Sequence, residues 1–263
     1  MTEKSMINAI VVFDIDGVIR DVSGSYRRAL ADTVEHFTNA AYRPTPVDID
    51  QLKSEGIWNN DWEASQELIY RFFEIQQQSR QQLQLEYEAV VAFFQSKYRG
   101  TEPHQLTGYI CDEPLLLQPK YLESLTTAGI KWGFFSGATR VSATYVLEQR
   151  LGLSKPILIA MEDAPGKPDP TGLFDAIQDL EVSTDNLSTV FYVGDTVADM
   201  YTILKARELE PHRKWVAVGV LPPHVQKTAS RKDEYAASLI NAGADIVFCN
   251  VQDLTPGRVM ELA

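Results

Sequence analysis

The feature that most constrains the fold is a series of short apolar runs separated by helical patterns. The first run, residues 7–13, is rich in Ile and Val and does not alternate between apolar and polar positions. A strand that is buried on both faces has this pattern, which is typical of a parallel sheet. Similar runs follow at 130–135, 156–160, 189–193, 215–220 and 245–248. These runs therefore predict the strands of one sheet.

Helical patterns lie between the later runs, at 120–127, 139–150, 170–180 and 197–208. This alternation predicts a doubly wound α/β fold with a parallel sheet. Residues from about 25 to 98 contain only helical patterns, which indicates an insertion after the first strand. We expect a core domain built from 1–20 and 112–263, and an inserted all-helical cap domain from 21–111. The crossings near Arg20 and at 111–114 are expected to act as hinges.

Polar residues follow the first two strands, where ligands bind in an open α/β sheet. Asp14-Ile15-Asp16-Gly17 places two carboxylates on a sharp turn, and they cannot point the same way. Ser136-Gly137 offers a hydroxyl and exposed backbone amides, which suit a phosphate group. Taken alone, turn aspartates and a Ser-Gly turn are also ordinary structural features.

Charged residues follow the third and fourth strands. Lys167 lies between Gly166 and Pro168 in a stiffened loop, and alone it is equally well explained as a surface charge. Asp195 ends the fourth strand, and Asp199 lies one helical turn later on the same side. Two acids in this arrangement suit a hard cation with oxygen ligands. Helix capping by Asp195 would account for one acid but not for the other.

The set is more informative than any single motif. Each candidate falls at the carboxyl end of its own strand, so the parallel sheet brings all of them to one edge. The set holds carboxylates for Mg²⁺, a lysine and a hydroxyl for a phosphoryl group, and a further carboxylate for proton transfer. The sequence therefore favours Mg²⁺-dependent phosphoryl chemistry.

The four motifs, Asp14-Ile15-Asp16-Gly17-Val18, Ser136-Gly137, Lys167-Pro168-Asp169-Pro170 and Gly194-Asp195-xxx-Asp199, resemble those of the haloacid dehalogenase superfamily. The likeness covers residues 7 to about 250 and is closest to subfamily IA, whose members have a helical C1 cap on a Rossmann-like core. Within it the chain is similar to the phosphoglycolate phosphatase and β-phosphoglucomutase group. Two features depart from that group: the helix after the fourth motif continues to Pro211, and the loop 212–214 is unusually basic.

The resemblance implies a role for each matching residue. Asp14 would attack phosphorus and form an aspartyl phosphate, while Asp16 would protonate the leaving oxygen and then activate water. Ser136, with Gly137, and Lys167 would hold the phosphoryl group. Mg²⁺ would be ligated by Asp14, by the main-chain carbonyl of Asp16 and by Asp195. Asp199 would act from the outer shell, orienting a water or Lys167.

Substrate choice is expected to depend on the insertion. Its most unusual stretch is Trp58-Asn59-Asn60-Asp61-Trp62, in which two indoles flank amides and an acid. These side chains suit a polyol or an amine-bearing ligand. The alternative is a helix start, in which Asp61 is the N-cap and Trp58 packs onto Trp62. Arg20 is a candidate second anion contact, although a solvated surface charge is the favoured interpretation.

Three classes of function remain open. A phosphatase acting on a small-molecule phosphate ester is favoured, a sugar phosphomutase would use the same motifs, and a non-catalytic phosphate-binding module would have lost one of them. Asp16 argues against a dehalogenase, which needs neither the second aspartate nor Mg²⁺.

The bulk composition narrows the partners. The net charge of −12 argues against nucleic acid, and no apolar run approaches the ~20 residues of a membrane helix. The polar start followed by a short apolar run does not match a signal peptide, so a cytoplasmic protein without a membrane partner is expected. Cys111 and Cys249 are expected to be buried, reduced thiols.

Overall fold

The computed structural model describes residues 9–58, 60–102, 105–181 and 187–263. The described strands are β1 Ala9–Phe13, β2 Lys131–Phe135, β3 Leu158–Ile159, β4 Thr189–Gly194, β5 Trp215–Val220 and β6 Ile246–Phe248. The described α-helices are α1 Tyr26–Phe37, α2 Pro46–Lys53, α3 Asp61–Ile75, α4 Tyr87–Tyr98, α5 Pro119–Thr127, α6 Arg140–Thr144, α7 Thr171–Leu180, α8 Val197–Leu209, α9 Ala229–Asn241 and α10 Pro256–Leu262. Helix α6 continues as the π-helical turn Tyr145–Arg150. Each predicted strand is confirmed, although β3 is shorter than predicted.

The strands form one parallel sheet in the order β3-β2-β1-β4-β5-β6. The register places Phe13 beside Phe134 of β2 and beside Val193 of β4. The chain moves outward from β1 to β3 on one side, then returns to β4 and moves outward on the other side. This is the doubly wound arrangement predicted from the sequence.

The continuous apolar run of β1 is explained by two apolar layers. Ala9, Val11 and Phe13 belong to the core on one face of the sheet, and Ile10 and Val12 belong to the core on the other. Each face is covered by helices, so no residue of β1 faces water and no polar alternation is needed.

The chain divides into two compact units, one of Met1–Asp21 with Leu115–Ala263 and the other of Val22–Pro114. All regular structure described in the second unit is helical, which confirms the helical insertion. Within it α1 packs against α3 and α4, and the ring of Tyr26 stacks on Tyr98 with centroids 4.0 Å apart. The buried Glu113 accepts a hydrogen bond from the buried Ser25, which joins the two ends of this unit.

The expectation of buried thiols is wrong for Cys249, which is exposed, and Cys111 is only half-buried. Cys249 follows the edge strand β6, where fewer neighbours cover the chain. Across the described ranges, no helix combines the length and the apolar character needed to span a membrane.

The basic loop 212–214 has a structural explanation. Arg213 is buried, and its Nη1 and Nη2 lie 2.7 and 3.1 Å from the two carboxylate oxygens of Glu181. Its Nε donates to Glu210 at 2.7 Å, and Nη1 also lies 3.3 Å from the carbonyl of Ser188. The guanidinium therefore joins the end of α7 to the approach to β4 and the end of α8.

Candidate active site

The candidate site lies where the winding of the sheet reverses. Strand β1 is central, and β2 and β4 flank it, so Asp14, Ser136 and Asp195 leave neighbouring strands at the same edge. In a doubly wound sheet, this reversal opens a crevice that serves as the ligand site. The amide of Asp14 donates to the carbonyl of Val193 at 2.8 Å, which extends the β1–β4 ladder to the site.

Lys167 is brought to this edge by the loop that follows β3. Its Nζ lies 2.9 Å from Asp14 Oδ1 and 2.6 Å from Asp199 Oδ1. All three side chains are at most one-tenth exposed. The two carboxylates raise the pKa of Lys167 well above its ordinary value, although burial alone would lower it. The ammonium group is therefore a permanent positive charge beside Asp14.

Asp199 is saturated by donors from the protein itself. Its Oδ1 accepts from Lys167 Nζ and, at 3.0 Å, from the hydroxyl of Tyr192. Its Oδ2 accepts from the amide of Thr196 at 2.9 Å and from its hydroxyl at 2.6 Å, closing a capping box at the start of α8. A carboxylate has about four lone-pair positions, and here four donors use them. Asp199 therefore orients Lys167 rather than offering a free oxygen to a cation.

The charges of the site are unbalanced without a further cation. Oxygens of Asp14, Asp195 and Asp199 lie within 4.8 Å of one another, and all three residues are buried. Burial raises the pKa of Asp14 to about 7 against the opposing effect of Lys167, and it raises the pKa of Asp195 well above its ordinary range. Burial would also raise the pKa of Asp199, but Lys167 and Thr196 hold it below its ordinary value.

This arrangement fits a divalent cation. Asp14 and Asp195 supply hard oxygen ligands of the kind that Mg²⁺ and Ca²⁺ prefer. A bound cation would keep both carboxylates ionised despite their burial, because it supplies the missing positive charge. The buried Asp14 Oδ1 makes no hydrogen bond of favourable geometry to the described protein atoms and has only the ion pair to Lys167.

Two glycines are required by the close approach of these acids. Gly17 has φ +76°, and a Cβ at this position would overlap the carboxylate of Asp195. A Cβ on Gly194 would overlap the side chain of Asp199. The predicted glycine of the first motif therefore serves both the turn and the packing of the fourth motif against it.

Ser136 and Gly137 differ in accessibility. Ser136 is buried, its amide donates to the carbonyl of Ile159 at 3.0 Å, and its Oγ accepts from the amide of Ala138 at 3.1 Å. Gly137 is exposed, and a Cβ on it would meet no atom within 4 Å. The turn after β2 thus presents its backbone to open space.

Asp16 and Arg20 form a pair beside the site. Both Nε and Nη2 of Arg20 lie 2.6 Å from Asp16 Oδ1. The Arg20 side chain is fully buried, whereas Asp16 is about a quarter exposed. Arg20 therefore interacts with Asp16. Its full burial shows that the expected solvated surface charge is wrong, and it also argues against a second anion contact for the substrate.

The stretch from Trp58 to Trp62 lies at the start of α3, in the helical unit. Asn60 is the N-cap, because its side chain accepts from the amide of Trp62 at 2.9 Å, so the predicted cap at Asp61 is wrong by one residue. Asp61 instead pairs with Lys53 at 2.6 Å. The indole of Trp58 donates to Glu55 at 2.7 Å. Asn59 lies outside the described residues, and a specificity role for this stretch stays a prediction.

Sequence reasoning missed Tyr192 and Tyr235 as site residues. Tyr192 looks like hydrophobic bulk within β4, yet its hydroxyl reaches Asp199. Tyr235 lies on α9, and its hydroxyl donates to the carbonyl of Asp195 at 3.0 Å. The available signal for Tyr192 was a phenol within an otherwise aliphatic and Phe-containing buried strand, since a buried hydroxyl usually has a partner.

Comparisons with known proteins identify a family and related chains. The family model described as haloacid dehalogenase-like hydrolase matches residues 9–207. A protein of Phytophthora nicotianae named imidazoleglycerol-phosphate dehydratase is 31% identical over 253 residues, which cover 94% of this chain and 50% of that protein. The chain therefore spans about half the length of this curated relative.

Solved structures share the fold. A hydrolase from Pseudomonas syringae aligns with a TM-score of 0.63 at 19% identity, over 97% of this chain and 99% of the other. Phosphatase Tt82 from Thermococcus thioreducens aligns at 0.63 and 22% identity, over 80% and 92% of the two chains. A putative β-phosphoglucomutase from Thermotoga maritima aligns at 0.58 and 16% identity, over 97% of each. At these identities the likeness extends to the fold alone.

Proposed function

The chain belongs to the haloacid dehalogenase-like hydrolase family, and from that premise we propose that it is a Mg²⁺-dependent phosphatase of small-molecule phosphate monoesters. The observation that carries the proposal is the position of Asp14. Asp14 directly follows the central strand β1. Its carboxylate pairs with the buried Lys167 at 2.9 Å and lies next to two further buried acids. A nucleophile, a positive charge for the phosphoryl group and a cation site thus coincide.

The reaction proposed for these residues has two displacements. An oxygen of Asp14 attacks phosphorus, the bond from phosphorus to the ester oxygen breaks, and Asp16 gives its proton to the leaving oxygen. A water then attacks the phosphorus of the aspartyl phosphate, Asp16 takes its proton, and inorganic phosphate leaves with Asp14 restored. Lys167 and the turn at Ser136 and Gly137 bind the phosphoryl oxygens throughout.

Asp14, Asp195 and the main-chain carbonyl of Asp16 would hold the Mg²⁺. When bound, the ion neutralises part of the phosphoryl charge, so that an anionic nucleophile can approach an anionic ester. Lys167 supplies the complementary charge from the protein side, and Asp199 with Tyr192 keeps its ammonium directed at Asp14.

The curated relative bears on the choice of substrates. Its name refers to imidazoleglycerol phosphate, a phosphate monoester, but nothing assigns the named dehydration to the half of that protein which this chain matches. Hydrolysis and dehydration are different reactions, and an aspartate nucleophile supports the former. We therefore include imidazole-bearing phosphate esters with sugar phosphates and phosphoglycolate among the candidate substrates.

The test is phosphate release over this panel, with Mg²⁺ and with excess chelator. Release is expected only with Mg²⁺, and Asp14→Asn should lower it by at least about a thousandfold, since the nucleophile is lost. Beryllium fluoride, an analogue of the phosphoryl group, should add to Asp14. Full activity in chelator would contradict the proposal. An isomerised sugar phosphate as the main product would indicate a mutase, and phosphate binding without turnover would indicate a binding module.

A further inference from the structure

Arg20 is held in one conformation beside Asp16. Its amide donates to the carbonyl of Ile15 at 3.2 Å, and its carbonyl accepts from the amide of Gly17 at 2.9 Å. The backbone of Arg20 also forms an isolated antiparallel β-bridge with Leu115, and the amide of Leu116 donates to the carbonyl of Ile19 at 2.8 Å. The backbone of Arg20 is thus fixed both to the turn that carries Asp16 and to the returning chain.

The side chain of Arg20 is fixed by burial. A buried guanidinium is costly unless its N–H groups find acceptors, and Nε donates to Asp16 Oδ1 at 2.6 Å, with Nη2 at the same distance from that oxygen. The planar fork of arginine restricts where that carboxylate can lie, which a flexible lysine would not do. Both contacts fall on Oδ1 of Asp16, and this oxygen can accept from Arg20 while Oδ2 carries the proton to be transferred.

We propose that Arg20 is a positioning residue that orients the carboxylate of Asp16 for proton transfer to the leaving oxygen. This inference rests on the proposed phosphatase function, in which Asp16 is the general acid. A general acid acts only from a defined position, because proton transfer needs hydrogen-bond contact with the leaving oxygen. Arg20 holds the partly exposed side chain of Asp16 in such a position.

A dependence on the leaving group separates this role from a structural one. An alkoxide leaves poorly without a proton, whereas p-nitrophenolate leaves readily without one. Loss of orientation at Asp16 should therefore slow the cleavage of alkyl phosphates far more than the cleavage of p-nitrophenyl phosphate. A general loss of folded protein, or of a direct contact to the phosphoryl group, would slow both classes equally.

The experiment measures kcat/KM for aryl and alkyl phosphates of increasing leaving-group pKa with Mg²⁺. The ratio kcat/KM reports steps up to formation of the aspartyl phosphate, so hydrolysis of that intermediate does not enter. Arg20→Met should lower kcat/KM about a hundredfold for alkyl phosphates. For p-nitrophenyl phosphate, kcat/KM should stay within about threefold of the wild-type value. Arg20→Lys should give an intermediate slope. Arg20→Met added to Asp16→Asn should cause little further loss, because both changes remove one function.

The matched control is Arg213→Met, which removes another buried guanidinium from its acid partners in the same unit. Assayed where it is folded, it should keep the wild-type slope. An equal loss for Arg20→Met on all esters would overturn the positioning role. If that variant does not fold, the slope of Arg20→Lys decides the question in the same way. A wild type that releases phosphate from no ester would instead overturn the proposed function itself.

Discussion

At the scale of single residues, the site is defined by how one lysine is shared. Lys167 lies between Asp14, the proposed nucleophile, and Asp199, which is fully engaged with protein donors. Because Asp199 keeps a lowered pKa, it remains an anion that holds the ammonium in place. Asp14 can then interact with Lys167 without having to orient it.

The raised pKa of Asp14 makes stability depend on pH when no metal is bound. The carboxyl binds its proton more tightly in the folded state, with a pKa of about 7, than at its ordinary value of 3.8. Stability from this group is therefore present below about pH 4 and is lost as pH rises to about 7. Asp14→Asn cannot ionise and should avoid this loss. In chelator, its Tm relative to wild type should rise by about 10 °C between pH 4 and pH 8; parallel profiles would contradict this.

Tyr192→Phe tests the orientation of Lys167 through Asp199. The change removes one hydrogen bond worth about 1 kcal/mol and keeps the ring, so kcat should fall about fivefold. Tyr121→Phe is the control, because its buried hydroxyl donates at 2.9 Å to the carbonyl of Leu254, and neither residue belongs to the site. Stability should fall in both variants and kcat only in Tyr192→Phe. Equal kcat values would show that Tyr192 merely fills the core.

At the scale of elements, Arg213 ties α7, α8 and the approach to β4 together. Arg213→Met should lower the free energy of unfolding by about 3–5 kcal/mol, because Glu181 is left largely buried without its partner. Arg207→Met, which breaks the more exposed pair with Asp245, should cost less than about 1 kcal/mol. Denaturant unfolding measures both. A similar small cost for the two variants would mean that water replaces the ion pairs of Arg213.

The start of α3 allows a test of the predicted specificity residues. Asp61→Ala and Lys53→Met break the same ion pair, but only the first removes the carboxylate. If Asp61 contacts the substrate, kcat/KM for the best ester should fall about tenfold in Asp61→Ala alone, since a lost polar contact costs about 1–3 kcal/mol. p-Nitrophenyl phosphate should be used equally by both variants. Identical behaviour of both variants on every ester would assign Asp61 a structural role.

The sheet could be predicted because its signals are local. An apolar run such as that of β1 records burial on both faces, and the residue after it lies at the carboxyl edge whatever the helices do. The N-cap of α3 was misplaced because Asn60 and Asp61 are both favourable caps, and helix ends are uncertain by a residue or two.

Contacts between distant residues could not be predicted in this way. The bond from Tyr235 on α9 to the carbonyl of Asp195 depends on how α9 packs, and no local pattern records it. Likewise, Glu210 is a local neighbour of Arg213 in the sequence, but Glu181 becomes its partner only once α7 packs beside β4. The burial of Arg20 arises only when the turn folds, so the sequence alone allows this residue to be interpreted as a substrate contact.

At the scale of the whole molecule, a cation site formed by buried acids should link metal binding to folding. If Mg²⁺ binds the proposed site in the folded protein and not the unfolded chain, Tm should rise with Mg²⁺ concentration, by about 5–10 °C near a hundred times Kd. Asp195→Asn should lose most of this rise, because it removes one of the two carboxylates proposed as ligands. Glu208→Gln, which changes an exposed acid on α8, should keep it. A Tm that is independent of Mg²⁺ would argue against the cation site.

The packing of Gly17 against Asp195, and of Gly194 against Asp199, has an evolutionary consequence. A side chain at either glycine would displace an acid of the site, so neither glycine can change unless that acid changes with it. A single substitution at Gly17 or Gly194 is thus not expected to retain the chemistry of the site. Descendants of such a protein would diversify their substrates through parts of the chain that are free to vary independently, and the helical insertion is the largest of these.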